Sequence, residues 1–369
     1  MKILIINCGS SSIKYKLYFF PKGHLIDKGL IERIGEKNSS ISTHTQGVKK
    51  VFENLIKNRS VTSLKEIEVI GHRVVHGAET FREPHFINKE VIRKLEECTK
   101  LAPLHNPANL EGIKACSKVL KGVCQIAVFD TAFHQTIPEY AYMYAIPVKY
   151  YKNYKIRRYG FHGSSHQFVA KRASEILKKP LNKLNLITCH LGNGCSITAI
   201  KKGRSVDTSM GFTPLEGLMM GTRCGDIDCA VVLYIMEKEK LTPGQADMVL
   251  NKKSGLLGIS GVSNDLRVIK NQIRKGNKRA QLALEMFIYR IEKYIGSYWF
   301  ILGGADAICF TAGIGENSVE TIDRIKKDLR KVIPGKTRIL VIPTDEELMI
   351  AALSYNLVRD SKGKRKVRN

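Results

Sequence analysis

I-L-I-I-N-C-G-S-S-S-I-K-Y, residues 3–15, puts four apolar residues in a row and then breaks the run at Asn7, Gly9 and Ser10 before Ile13 and Tyr15 resume an alternating pattern. The first run predicts a strand buried on both faces, and the second a strand with one wet face. Between them lies a turn crowded with small polar groups. Such a turn leaves backbone N–H donors unpaired, and no bulky side chain blocks a close approach, so it suits a phosphate. Lys14 adds a cation just beyond it. The same residues would equally serve as an ordinary surface turn.

The pattern returns about half a chain later. Residues 186–208, L-I-T-C-H-L-G-N-G-C-S-I-T-A-I-K-K-G-R-S-V-D-T, again give a buried strand, a Gly/Asn turn, a second strand, a Lys-Gly hairpin and a third strand. In the first copy, residues 21–23 (Pro-Lys-Gly) make the corresponding hairpin turn. Two such copies imply two similar α/β lobes, each presenting one phosphate turn. The spacing is far too long for a solenoid.

At 369 residues the chain has room for two domains, and its 43% hydrophobic and 25% charged content is that of a globular protein. No apolar run is long enough to span a membrane. Nine cysteines without a Cys-x-x-Cys pair argue against a disulfide framework and a zinc site, and for a reducing cytoplasm. The net charge of +26 is scattered, apart from K-G-K-R-K-V-R at 362–368. Base bias in the genome or anionic substrates account for it more simply than a nucleic-acid partner. The 361–369 tail is expected to be a disordered, solvated end.

Other strands are expected at 67–75, 125–129, 307–311 and 338–342. Several of them end in residues suited to chemistry: H-R-V-V-H-G at 72–77, Asp130, and A-G-I-G-E-N at 312–317. Carboxylates at strand ends facing a loop are favoured catalytic positions. Residues 255–267 read as a loop. Thr344 reads as the N-cap of the last helix. None of the glycine-rich turns fits G-x-x-x-x-G-K-[ST] or G-x-G-x-x-G in its proper context, so neither a P-loop nor a dinucleotide fold is indicated. Phosphoryl transfer needs charge around the moving group and a carboxylate-held metal. For these, Arg73, His162 and Arg223 offer charge, and Asp130 and Glu346 offer carboxylates.

Eight segments in chain order resemble signatures of the acetate/propionate/butyrate kinase family: N-C-G-S-S-S-I-K (7–14), G-H-R-V-V-H-G (71–77), F-D-T-A-F-H-Q-T (129–136), R-R-Y-G-F-H-G-S-S-H (157–166), H-L-G-N-G (190–194), G-T-R-C-G-D-I-D (221–228), T-A-G-I-G-E-N-S (311–318) and I-P-T-D-E-E-L (342–348). The resemblance implies the duplicated, two-lobed ribonuclease-H-like α/β fold of the sugar kinase/actin superfamily, with a central nucleotide cleft. The lobes would be residues 1–146, joined by a C-terminal helix at about 345–360, and residues 147–344.

The implied reaction is Mg²⁺-dependent phosphoryl transfer from ATP to acetate, giving ADP and acetyl phosphate. Propionate or butyrate kinase is the alternative within the family, and a basic nucleic-acid-binding protein on the same fold the alternative outside it. The resemblance further implies a cytoplasmic homodimer, with Mn²⁺ able to replace Mg²⁺. It assigns Asn7 and Glu346 to the metal, and Arg73 to the carboxylate or incoming phosphoryl. Val75, Leu104 and Pro214 are assigned to the methyl group, Asp130 to an acid/base or orienting role, and His162 and Arg223 to the transition state. Lys14 would approach ATP. His190, Leu191, Gly192, Asn193 and Gly194 would line the nucleotide site, as would Asp265, Leu266, Arg267, Gly313, Ile314, Gly315, Glu316 and Asn317. The chain departs from the family pattern in a shortened segment between Ser318 and Arg338, in Cys229 for a usual proline, and in Ala78 for a usual glycine.

Overall fold

A computed structural model describes residues 1–102 and 105–366. The chain divides into two compact units: Met1–Gln135 with Asp345–Asn369, and Thr136–Thr344.

In the first unit the strands are β1 (Lys2–Cys8), β2 (Ile13–Phe19), β3 (His24–Ile31), β4 (Ile67–Val74), β5 (His85–Phe86) and β6 (Cys124–Phe129). They form a sheet in the order β3-β2-β1-β4-β6-β5. β1 pairs antiparallel with β2 and parallel with β4, and β4 pairs parallel with β6. The unbroken apolar run of β1 follows from its central place in the sheet. Leu4 and Ile6 point into a core with Val48, Val51 and Leu55 of the helix His44–Lys57. Ile3 and Ile5 point the other way, onto Ile350, Ala351 and Val358 of the helix Glu346–Lys366. Side chains alternate across a strand, so a strand covered on both faces needs apolar residues at every step.

The second unit repeats the scheme. Its strands are β7 (Asn185–Leu191), β8 (Cys195–Lys201), β9 (Arg204–Thr208), β10 (Ala307–Thr311) and β11 (Arg338–Val341), in the order β11-β10-β7-β8-β9. β7 pairs antiparallel with β8 and parallel with β10, which pairs parallel with β11. Strand order and directions therefore match β3-β2-β1-β4-β6 of the first unit. The short β5 edge is an addition, antiparallel to β6. Each sheet also takes a helix that follows the other sheet in the chain. Gly163–Leu177, after β6, packs on β7 and β10, and Glu346–Lys366, after β11, packs on β1, β4 and β6.

Several boundaries differ from the sequence reading. The first division falls at 135/136 rather than 146/147. Residues 136–146 are tied to the second unit, where the Thr136 hydroxyl donates to the Ser205 carbonyl at 2.8 Å and the Arg158 N–H to the Tyr142 carbonyl at 2.8 Å. The last helix continues to Lys366, so residues 361–366 are helical rather than a solvated end. Cations suit a helix C-terminus, where carbonyls are left unpaired. Residues 255–267 contain the helix Gly255–Ser260, and 312–317 form the helix Ala312–Asn317 rather than an open turn. Asp345, not Thr344, caps the last helix, accepting from the Leu348 N–H at 3.0 Å.

Candidate active site

In the first unit, β1, β4 and β6 lie side by side and parallel, so their C-terminal ends bring Asn7, Arg73 and Asp130 to one edge of the sheet. Asp130 is buried and Arg73 half-buried. Arg73 Nε donates to both Asp130 oxygens at 3.2 and 3.0 Å, and Nη2 donates at 2.6 Å. Glu346, at the start of the last helix, lies 3.7 Å from Arg73 Nε. Burial opposes the charge on Arg73, but Asp130 and Glu346 more than offset it and raise its pKa. Burial brings His76, in the same motif, down to about 4. At neutral pH the charge of that motif is therefore Arg73.

The turn after β1 closes through the Gly9 N–H and the Ser12 carbonyl at 2.8 Å. Asn109 ties this turn to the end of β4: its Nδ2 donates to the Cys8 carbonyl at 2.8 Å, and its Oδ1 accepts from the Val75 N–H at 3.0 Å. Asn106 makes the equivalent pair of bonds with the His76 backbone. Gly112 lets the helix Asn106–Val119, which carries both asparagines, press against β1, since a Cβ there would lie 2.3 Å from Cys8 Sγ. In the sequence, Asn109 is marked only by its place near the start of this helix. Its bridging role depends on β1 and β4 being neighbours, which local pattern does not reveal.

Lys14 Nζ is 2.8 Å from Glu347 Oε1, and Lys16 Nζ bridges Asp345 and Glu347 at 2.8 and 3.2 Å. The structure thus gives Lys14 a carboxylate partner and makes this strand a clasp on the first turn of the last helix, the turn that carries Glu346. Asn7 is half-buried at the end of β1. Leu104 lies outside the described residues.

The second unit carries a separate group. The turn between β7 and β8 closes through the Gly192 N–H and the Gly194 carbonyl at 3.1 Å. Asn193 is docked by the Gly221 N–H on its carbonyl at 3.0 Å and by Asn264 Nδ2 on its Oδ1 at 3.0 Å. A Cβ on Gly194 would lie 3.2 Å from Arg223 Nη1 and 3.5 Å from His162 Nε2, so two nitrogen-bearing side chains converge on this turn. Pro214 presents its carbonyl to Arg223 Nη1 at 3.3 Å. Among the described residues Arg223 has no carboxylate partner, and burial pulls its pKa below the ordinary value. A half-buried guanidinium without an anion is costly unless a ligand supplies one.

His162 takes a left-handed conformation, φ 57°, at the head of the helix Gly163–Leu177, and its ring stacks on His190 with centroids 4.0 Å apart. The remaining residues assigned to a nucleotide divide in two. Asn193, Arg267, Gly313 and Asn317 are exposed, and Gly192, Asp265, Ile314 and Glu316 half-buried. Leu191, Leu266 and Gly315 are buried, so the two leucine side chains pack inward rather than line a pocket. Glu316 is engaged with backbone, accepting from the Ala312 and Thr344 N–H groups at 2.7 and 3.0 Å. Asp265 caps its helix and holds the exposed Arg267.

Residues 2–333 match the family model described as the acetokinase family. The chain belongs to that family. It is 50% identical over 401 residues to an acetate kinase of Thermoanaerobacter pseudethanolicus, an alignment covering 98% of this chain and 100% of that one. An acetate kinase of Halothermothrix orenii is also 50% identical, over 97% of this chain and 100% of its own. Among solved structures, Porphyromonas gingivalis acetate kinase superposes with a TM-score of 0.92 at 43% identity, covering 97% of this chain and 99% of that one. A propionate kinase from Francisella tularensis gives 0.91 at 40% identity, covering 96% and 99%. The family therefore has the duplicated α/β fold described above.

Proposed function

We propose that this protein is an acetate kinase, transferring the terminal phosphoryl group of ATP directly to acetate in a reversible reaction. One observation carries the reading: Arg223, half-buried and without a carboxylate partner among the described residues, converges with His162 on the Gly192–Gly194 turn. That arrangement suits an anion whose charge is spread over several oxygens. A planar guanidinium serves better there than an ammonium point charge.

Acetate is already a carboxylate at neutral pH, so no base is needed to make it a nucleophile. Both oxygens of Asp130 accept from Arg73, which makes Asp130 an orienting group rather than a proton acceptor. Arg73 holds the carboxylate or the incoming phosphoryl group, while His162 and Arg223 offset the charge that develops during transfer. Rate enhancement comes from positioning and charge neutralisation. Asn7 and Glu346 supply hard oxygen donors, which fits Mg²⁺, an ion that completes its shell with water and substrate phosphates; Mn²⁺ accepts the same donors. Bound there, the ion would neutralise phosphate charge on the nucleotide.

Propionate is the second reading, favoured by the Francisella relative at 40% identity. Val75 and Pro214, the side chains assigned to the methyl group, suit the smaller acid, although one methylene is worth only ~1–3 kcal/mol of discrimination. Hydroxamate trapping with acetate, propionate and butyrate tests both readings. Acetyl phosphate is expected as the preferred product, and no acyl phosphate from any acid would overturn the kinase reading.

The protein is further proposed to act as a cytoplasmic homodimer. All nine cysteines are free thiols, as a reducing compartment requires, and no helix among the described residues is long and apolar enough to cross a membrane. The helix Cys229–Glu239 opens with eight residues free of charge, C-A-V-V-L-Y-I-M, yet buries none of them. A helix apolar all round is normally covered, and a second copy of the chain would cover this one.

A further inference from the structure

A chain of hydrogen bonds runs from His162 into the interior of the second unit. His162 Nδ1 lies 2.9 Å from Ser196 Oγ, and the same hydroxyl lies 2.7 Å from His166 Nε2. His166 Nδ1 in turn lies 2.7 Å from Thr188 Oγ1. Ser196, His166 and Thr188 are all fully buried. Three elements supply the links: Thr188 is on β7, Ser196 on β8, and His162 and His166 stand four residues apart at the head of the helix Gly163–Leu177.

The chemistry of these groups restricts the protons. A serine hydroxyl has one proton to give, so of the two imidazole nitrogens facing Ser196 one receives it and the other must donate to the oxygen. The tautomers of His162 and His166 are therefore coupled, and the chain has two polarities. In the first, Thr188 donates to His166 Nδ1, His166 Nε2–H donates to Ser196, and Ser196 donates to His162 Nδ1; neutral His162 then carries its proton on Nε2. In the second, every bond is reversed and Nε2 of neutral His162 is a bare lone pair. The ring edge of His162 that faces Gly194 beside Arg223 Nη1 consists of Nε2 and Cε1, and Nε2 is its only nitrogen. An anion drawn to Arg223 is attracted by an N–H at that point and repelled by a lone pair.

We propose that Ser196 and His166 are positioning residues which hold His162 as the neutral Nε2–H tautomer when the anionic substrates are bound, so that it donates to the phosphoryl group. The proposal rests on the acetate kinase reading, and the two fail differently: wild-type protein that makes no acyl phosphate sinks that reading, whereas the tests below are read on protein that does.

With ¹⁵N-histidine-labelled protein saturated with a non-hydrolysable ATP analogue, Mg²⁺ and acetate, His162 is expected to show a protonated Nε2 and a bare Nδ1. An Nδ1–H tautomer or an imidazolium there overturns the proposal. Ser196→Ala is expected to lower kcat by about 10- to 100-fold, the scale of losing an oriented donor, with little change in KM and with His162 now a mixture of tautomers. A normal kcat, or a lowered kcat with the His162 spectrum unchanged, also overturns it. If Ser196→Ala fails to fold, the wild-type spectrum alone decides.

Discussion

Arg223 and Arg73 are both half-buried guanidinium groups, and their surroundings give them different work. Arg73 is held along one edge of its guanidinium, through Nε and Nη2, by Asp130 and is approached by Glu346, so its orientation is set before any substrate arrives. Arg223 meets a carbonyl and a thioether instead, which leaves its charge for a ligand. The residue to test is therefore Arg223. Arg223→Lys keeps the charge but loses the planar fork, and is expected to cut kcat by about 10²-fold or more with the fold intact. Steady-state kinetics beside a thermal melt check this, and a near-normal rate would remove Arg223 from the phosphoryl site. Both arginines stand out in the sequence through their glycine-bounded motifs. Their different partners do not, because Asp130 lies 57 positions from Arg73 in the chain and reaches it only through strand pairing.

Among the elements, the last helix and the helix Cys229–Glu239 show opposite relations between pattern and packing. The last helix is clasped to β2 through Lys14, Lys16 and Tyr18 on Asp345 and Glu347, which fixes the turn bearing Glu346. The acid run D-E-E is legible in the sequence, but the lysines that receive it lie over 300 residues away. Cys229–Glu239 opens on an apolar run, yet Leu233 and Tyr234 are 68% and 61% exposed. Leu233→Glu is expected to convert a dimer to a monomer in analytical ultracentrifugation, with a melting temperature close to that of the wild type, because the side chain is not part of the core. An unchanged sedimentation coefficient would overturn the proposed contact through this helix.

For the whole molecule, the net charge of +26 acts on a substrate that is a multivalent anion. Long-range attraction of this kind speeds encounter and is screened by salt, since the Debye length shrinks from about 10 Å at 0.1 M to about 3 Å at 1 M. The expected outcome is that kcat/KM for ATP falls severalfold between low and high salt, mostly through KM, while kcat holds. A salt-independent KM would mean that the charge plays no part in substrate capture.

The sequence by itself determined the duplication, because burial on both faces of a central strand forces an unbroken apolar run, and that run with its small polar turn appears twice. It also determined which residues carry charge beside glycine-rich turns. Only the tertiary structure decided which groups meet: Asn109 across the ends of β1 and β4, Lys14 on Glu347, and Ser196 between two histidines. It also moved the division between the units to 135/136 and turned Leu191 and Leu266 inward. Periodicity is a local property, readable within a few residues. Hydrogen bonds and ion pairs between distant segments depend on strand order and register, which the folded sheets impose.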